Sequence, residues 1–257
     1  VPAHRLRFRV PDNARVILGH TRMTTQGSAN RNYNNHPFLG VAGKDVFALA
    51  HNGMLYNDMT LRKGLHLPRT KIQTDSYIAV QLIEQKKALN FDSLKYMAEE
   101  VEGSFTFTVL DRRDRLYIVK GDNPLCLLHF PSLGLYLYAS TEEILRRAMS
   151  QMDLGTCRSC RIPLDCGEIL RIDREGALTR SEFDDYRLFV RWQASIWDMP
   201  YRRPWKEGRV PAPEDSYLEE VKSVAPAFGY APEEIDRLAE MGFSPEELED
   251  FLYCGEL

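Results

Sequence analysis

Two hydrogen-bond donors that could stabilise a negative charge lie next to each other in His51-Asn52-Gly53. The preceding residues 46–50 (VFALA) predict a short, mostly buried strand. Asn-Gly after such a run predicts a turn, because both residues tolerate positive φ. The Asn52 side-chain amide and the Gly53 backbone N–H would then lie close together and could stabilise a developing oxyanion. Taken alone, a plain turn is the simpler interpretation of these residues.

Further polar residues could bind the two ends of an amino acid. They fall in four motifs: GHTRMTTQG (19–27), NNHPF (34–38), AHNGMLYN (50–57) and TDSY (74–77). Arg22 could clamp a carboxylate through two N–H groups, and the Thr25 hydroxyl lies near it in the chain. Asp75 offers a carboxylate for an ammonium group. Together with the oxyanion pair, these residues would suit an α-amino acid bound along its backbone.

The first elements that must position these residues are a strand, a loop and a short helix. Residues 15–22 predict a buried strand that ends at Gly19-His20. The polar residues 23–35 predict a long loop, and such loops often bind ligands. Residues 57–65 predict a short helix that Asn57 or Asp58 could cap.

Two longer amphipathic helices are predicted next. The first begins after Thr74 as N-cap and carries an apolar stripe of Ile78, Ala79, Leu82 and Ile83. The second, in residues 91–102, carries a stripe of Leu94, Met97, Ala98 and Val101.

The apolar spacing then changes from the helical period to the strand period. GSFTFTVLD (103–111) alternates apolar and polar residues, which predicts a half-buried strand. An antiparallel meander is predicted for RLYIVKGD, PLCLLHF and GLYLYAS. A helix with Thr141 as N-cap is predicted for TEEILRRAMSQM. A hairpin around residues 174–176 is predicted for GEILRID and GALTRSEF. This order predicts an α+β layered domain that ends near Tyr186.

The four motifs, in this order, resemble the glutaminase domain of class II glutamine amidotransferases, the family of glucosamine-6-phosphate synthase and glutamine phosphoribosylpyrophosphate amidotransferase. The resemblance spans roughly residues 14–185 and includes EGSFTFTVLD, GDNPL, YASTEEIL and IPLDCGEILRID. It implies the N-terminal nucleophile (Ntn) hydrolase fold, an α+β four-layer αββα sandwich, here N-terminally incomplete. It also implies hydrolysis of the glutamine side-chain amide to glutamate and ammonia, with the ammonia passed to an acceptor; no cofactor is expected.

The resemblance assigns roles to the candidate site residues. Arg22 matches the arginine that binds the α-carboxylate of glutamine, with Thr25 beside it. Asn52 and Gly53 match the oxyanion hole, and Asp75 matches the acid that holds the α-ammonium.

The histidines of the motifs are expected to have structural roles. His36 stands in the family's His-Pro pair. His20 and His51 are predicted to be packed, hydrogen-bonded core residues, because no metal-ligand spacing connects them.

The nucleophile is where the sequence departs from the family. The family uses a cysteine as first residue, with its own α-amine as base, whereas residue 1 here is Val. Gln26 also stands where glucosamine-6-phosphate synthase has histidine. Three explanations are open: an upstream Cys-led segment in the intact protein, a pseudoenzyme that binds an amino acid or peptide, or a scaffold for partners. We expect the first, with the chain as written inactive.

The composition excludes several classes of protein. No apolar run is long enough for a membrane span, and the N-terminal residues are too polar for a signal peptide. The sequence contains no cluster of basic residues together with aromatic residues, so it gives no indication of nucleic-acid binding. Five cysteines, an odd number, suggest reduced thiols in a cytoplasmic setting rather than a disulfide framework. Cys157, Cys160 and Cys166 could form half of a zinc site, but no second pair follows, so incidental thiols are favoured.

Charge divides the chain into unlike parts. Residues 214–257 hold thirteen acidic and two basic residues, so their charge of −11 leaves +7 for the rest. We predict an amidotransferase-like domain (1–186), a Pro/Arg/Trp-rich linker (187–213) and an acidic helical tail (214–257). The tail looks somewhat like a ubiquitin-associated module, although a helical tail docked on the basic body is favoured. The expected partners are glutamine and a synthase that accepts ammonia; self-association into a homo-oligomer is left open.

Overall fold

The chain folds into two antiparallel sheets flanked by helices. The computed structural model describes residues 10–11, 13–21, 31–152, 154, 157–188, 218, 221–222, 225, 230–243, 247–248 and 251–252. The strands are β1 (Phe38–Ala42), β2 (Asp45–Leu55), β3 (Gly103–Asp111), β4 (Leu116–Lys120), β5 (Cys126–Phe130), β6 (Leu135–Ala139), β7 (Cys160–Arg161), β8 (Glu168–Ile172) and β9 (Leu178–Glu182). The helices are α1 (Asp58–Gly64), α2 (Tyr77–Gln85), α3 (Phe91–Glu100), α4 (Glu142–Met149) and α5 (Pro232–Glu240), with 3₁₀ turns at Asn32–Asn34 and Pro131–Leu133.

The elements stack in four layers. One sheet has the strand order β1-β2-β3-β4-β8-β9, and the other has the order β6-β5-β7. Tyr117 and Val119 of β4 share a buried cluster with the apolar stripes of α2 and α3. The intervening Ile118 faces the other way and packs with Leu127 of β5. Because α4 packs against β6 on the outside, the predicted αββα arrangement is confirmed.

Local sequence signals explain most of the helices. The predicted stripes of α2 and α3 are buried, as the helical period requires. Thr141 caps α4 as predicted, its Oγ1 accepting a hydrogen bond from the Ile144 N–H at 3.2 Å. The predicted hairpin forms between β8 and β9.

Two predicted helix caps are wrong. Asn57 does not cap α1: its side chain donates to the Glu100 carbonyl and accepts from the Glu102 N–H, both at 2.9 Å, and so ties the end of β2 to the end of α3. Thr74 does not cap α2, which begins after Ser76 without a side-chain cap bond.

Three strand predictions need correction. Residues 15–21 form no strand: Val16 and Leu18 pack against a sheet while Ile17 is 65% exposed. Strand β3 is buried on both faces, since Thr106 and Thr108 are buried as well. The segments predicted as one meander divide between the two sheets, because β4 pairs with β8 whereas β5 pairs with β6 and β7.

The C-terminal residues have an apolar cluster of their own. Its buried members are Val221, Ala225, Ile235, Leu248 and Leu252. Lys222 forms an ion pair with Asp236 within the same segment. The predicted linker lies almost wholly outside the described residues, so the predicted domain boundaries stay predictions.

Two kinds of feature are absent from the residues that the structure describes. Among these residues, no helix is both long and apolar enough to cross a membrane. In the same ranges, no group of three or more His, Cys, Asp or Glu residues could hold a metal ion.

Candidate functional site

Asn52 and Gly53 lie inside a strand, so the predicted turn is wrong. Strand β2 runs on to Leu55, and the register places Asn52 opposite Thr106 and Gly53 opposite Phe105 of β3. Gly53 has φ of 132°, which side chains rarely adopt, and a Cβ there would lie 2.0 Å from the Ser104 carbonyl oxygen. Glycine is therefore needed here for close approach of two strands. The pairing with β3 overrides the local turn preference of Asn-Gly.

Asn123, in the loop after β4, fixes the backbone beside this pair. Its Nδ2 donates to the Asn52 carbonyl at 2.9 Å, and its Oδ1 accepts from the Ser104 hydroxyl at 2.5 Å. Its own carbonyl accepts from the Thr106 hydroxyl at 2.8 Å. The sequence reasoning missed this residue as part of the site. The signal that could have found it was the GDNPL segment (121–125), which lies far from Asn52 in the chain.

The Asn52 side chain presents an unused donor. Its Nδ2 is buried and makes no hydrogen bond within the part of the chain that the structure describes. Burying a donor without a partner costs about 1–3 kcal/mol, so this amide is a candidate to donate to a ligand oxygen. The neighbouring Gly53 is exposed, which leaves its backbone accessible to such a ligand.

Asp75 lies in the segment before α2, and its side chain contacts the end of β2. It is buried, 3% exposed, and its Oδ2 accepts a hydrogen bond from the Leu55 N–H at 2.6 Å. Asn34 and Gln73 bind each other through two hydrogen bonds of 3.0 and 3.2 Å and hold the segment before Asp75 against the NNHPF motif. The structure therefore brings Asp75 to the strand that carries Asn52 and Gly53.

The other two predicted binding residues cannot be placed. Arg22 and Thr25 lie outside the described residues, and their contribution stays a prediction.

His51 is a packed, hydrogen-bonded core residue, as predicted. Its Nδ1 lies 2.8 Å from the Ser76 hydroxyl and its Nε2 lies 3.3 Å from the Ser104 carbonyl oxygen. A carbonyl can only accept, so Nε2 carries the proton and Nδ1 accepts from Ser76. Burial lowers the pKa of the His51 imidazole from 6.5 to about 4, and the attraction of the Asp75 carboxylate opposes this only in part.

Acidification should destabilise the fold through His51. The imidazole resists protonation more in the folded than in the unfolded chain, so its contribution is complete above pH 6.5 and is lost as the pH falls towards 4. The loss between pH 7 and pH 4 should be about 3 kcal/mol. Urea unfolding should therefore show that the difference in unfolding free energy between the wild type and His51→Gln is smaller at pH 4 than at pH 7 by this amount. A difference independent of pH would contradict the prediction.

Comparison with known proteins gives this site a family context. A protein-family profile described as "Glutamine amidotransferase domain" matches residues 20–147, which include Asn52, Gly53, Asp75 and Asn123. The chain is 28% identical over 137 residues to 7-cyano-7-deazaguanine synthase of Saccharolobus solfataricus, covering 51% of this chain and 28% of that protein. It is 32% identical over 117 residues to glutamine–fructose-6-phosphate aminotransferase (isomerizing) of Lactococcus lactis, covering 43% of this chain and 19% of that protein.

Among solved structures, two chains resemble the fold. One is described as the allosteric regulatory enzyme of purine biosynthesis, with a TM-score of 0.49, 22% identity and coverage of 59% of this chain and 31% of the other. The second is glutamine phosphoribosylpyrophosphate amidotransferase from B. subtilis, with a TM-score of 0.48, 21% identity and coverage of 61% and 33%. The chain thus spans about a third or less of the length of each of these four proteins.

Proposed function

Since residues 20–147 belong to the class II, Ntn-type glutamine amidotransferase family, we propose that this protein hydrolyses the side-chain amide of glutamine to glutamate and ammonia. The observation that carries the proposal is the buried Nδ2 of Asn52, which has no partner in the described ranges. It lies in the same strand as Gly53, and Asp75 binds the end of that strand.

The proposed chemistry places negative charge at the strand. A nucleophile attacks the amide carbon of glutamine, and the C=O π electrons move to the oxygen. The Asn52 Nδ2–H and the Gly53 N–H donate to this oxyanion. Collapse of the intermediate expels ammonia once the nitrogen has taken a proton, and water then hydrolyses the acyl-enzyme to glutamate.

The nucleophile is proposed to be a cysteine thiol with a free α-amine as its base, as in the family. None of the described cysteines fits this role, because Cys126, Cys157, Cys160 and Cys166 lie inside the chain and have no free α-amine. Partial burial also raises the pKa of the Cys166 thiol to about 11, which keeps it protonated.

The substrate is proposed to bind along its backbone. Asp75 would attract the α-ammonium, and its carboxylate is already oriented by the Leu55 N–H. Arg22 and Thr25 are proposed to hold the α-carboxylate. The two named relatives are a deazaguanine synthase and a fructose-6-phosphate aminotransferase, so this shared region does not identify the ammonia acceptor. We assign the acceptor to another protein.

Replacing Asn52 tests the proposal. In the intact protein with its native N-terminus, Asn52→Ala should lower kcat for ammonia release from glutamine by about 100- to 1,000-fold, with a small change in KM. The control is Asn13→Ala, because Asn13 is exposed and lies far from this strand in the sequence.

Two results would contradict the proposal. One is equal kcat in the Asn52 variant and the wild type. The other is binding of glutamine by the wild type without ammonia release, even with a candidate acceptor protein added. That second result would favour a catalytically dead amino-acid-binding or protein-interaction module.

A further inference from the structure

The main chain of His51 is held by two imidazole rings where a neighbouring strand ends. Strand β1 pairs with β2 only as far as Leu49. Beyond this point, the His51 N–H donates to Nδ1 of His36 at 3.0 Å. Nε2 of His20 donates to the His51 carbonyl at 2.9 Å. Two imidazole side chains therefore form hydrogen bonds with main-chain groups of β2 that β1 does not reach.

Each of these bonds fixes the proton of its ring. A backbone N–H can only donate, so His36 accepts through an unprotonated Nδ1 and keeps its proton on Nε2. A carbonyl can only accept, so Nε2 of His20 must carry a proton. The two rings stack with their centroids 4.2 Å apart, and His36 also packs on Phe38 at 4.5 Å. Ring stacking and hydrogen bonding thus both hold the His20 and His36 rings in place beside the His51 main chain.

The bond from His20 acts directly on Asn52. The His51 carbonyl belongs to the peptide group that also contains the Asn52 nitrogen, and this group is planar. Fixing the carbonyl therefore fixes the plane from which the Asn52 side chain projects. Asn123 holds the following carbonyl, so the Asn52 backbone is fixed by side chains on both sides.

We propose that His20 and His36 are positioning residues that orient the Asn52 amide and Gly53 through the main chain of His51. The proposal rests on the proposed function for its effect on turnover. Its structural part, the two imidazole rings bonded to the main chain of one residue of β2, stands independently.

A crossed set of substitutions tests it. The Asn side-chain oxygen can take the place of Nδ1 of histidine, and the Gln amide nitrogen the place of Nε2. H36N therefore keeps the acceptor and H36Q does not, whereas H20Q keeps the donor and H20N does not. In the intact protein, H36Q and H20N should lower kcat about 10- to 100-fold with KM unchanged. The reason is that displaced Asn52 and Gly53 donors stabilise the transition state less, whereas substrate binding is hardly affected. H36N and H20Q should stay within about 3-fold of the wild type.

Nuclear magnetic resonance gives a second readout without turnover. Ring ¹⁵N spectra of the wild type should show a proton on Nε2 of both His20 and His36 and an unprotonated Nδ1 in His36. The backbone amide signals of His51, Asn52 and Gly53 should shift in H36Q and H20N and remain near the wild type in H36N and H20Q. This pattern supports the positioning role even if the wild type releases no ammonia, in which case only the proposed function fails.

The positioning role would be overturned by either of two results. One is a ring proton on Nδ1 of His36. The other is equal behaviour of all four variants in both kcat and amide shifts, with thermal denaturation confirming that each is folded.

Discussion

Gly53→Ala is expected to lower the free energy of unfolding by about 4 kcal/mol and to abolish glutamine hydrolysis. The new Cβ would lie 2.0 Å from the Ser104 carbonyl oxygen and 2.7 Å from Nδ2 of Asn123. The first contact is backbone of the paired strand, which cannot move without opening the β2–β3 ladder. The φ of 132° adds strain of about 1–3 kcal/mol for any side chain.

Urea unfolding and an ammonia-release assay check this result, with Gly64→Ala as the control. Gly64 is the last residue of α1, and a Cβ there meets no atom within 4 Å. Alanine in a helix is favoured over glycine by about 0.5–1 kcal/mol, so this control should be as stable as the wild type or slightly more stable. If the two variants were equally stable, the close approach of β2 and β3 at Gly53 would be wrong.

Changing Asp75 should separate folding from substrate binding. Asp75→Ala leaves the buried Leu55 N–H without its acceptor and should cost about 2–3 kcal/mol of stability. Asp75→Asn retains an amide oxygen for that N–H, so it should fold with a smaller loss. It removes the charge that would hold the α-ammonium, and glutamine affinity should fall about 100-fold in both variants.

Calorimetric titration with glutamine and urea unfolding measure the two effects independently. Asp92→Asn is the matched control, because Asp92 is exposed in the first turn of α3. It should change the unfolding free energy by less than about 0.5 kcal/mol and leave glutamine binding unchanged. Unaltered glutamine affinity in Asp75→Asn would rule out the proposed role for this carboxylate.

Elements with a strong local period were predictable from the sequence. The buried stripes of α2 and α3, the Thr141 cap and the hairpin of β8 and β9 depend on residues a few positions apart. The division of β4, β5 and β6 between two sheets was not predictable, because strands of either sheet show the same alternation of apolar and polar residues. Asn-Gly failed as a turn signal for a related reason: pairing with β3 outweighed the local preference.

The candidate site was predictable only where a motif carries it. Asn52, Gly53 and Asp75 stand out through the order of their motifs along the chain. His20, His36 and Asn123 also lie in motifs, but the hydrogen bonds by which they hold the main chain of His51 and Asn52 were not predictable, since these bonds join residues 15 to 71 positions apart. No local spacing encodes such a contact.

The same long-range contacts set when the site can exist during synthesis of the chain. Strand β2 pairs with β3 across residues 56–102, and Asn123 reaches Asn52 across 71 positions. Closing such loops costs entropy that only the completed sheet can offset. The segment of β2 that carries Asn52 and Gly53 therefore cannot be held in this alignment on a nascent chain that has not passed residue 123. A partly synthesised polypeptide would hold every residue of the HNG motif and still lack the geometry that they form together.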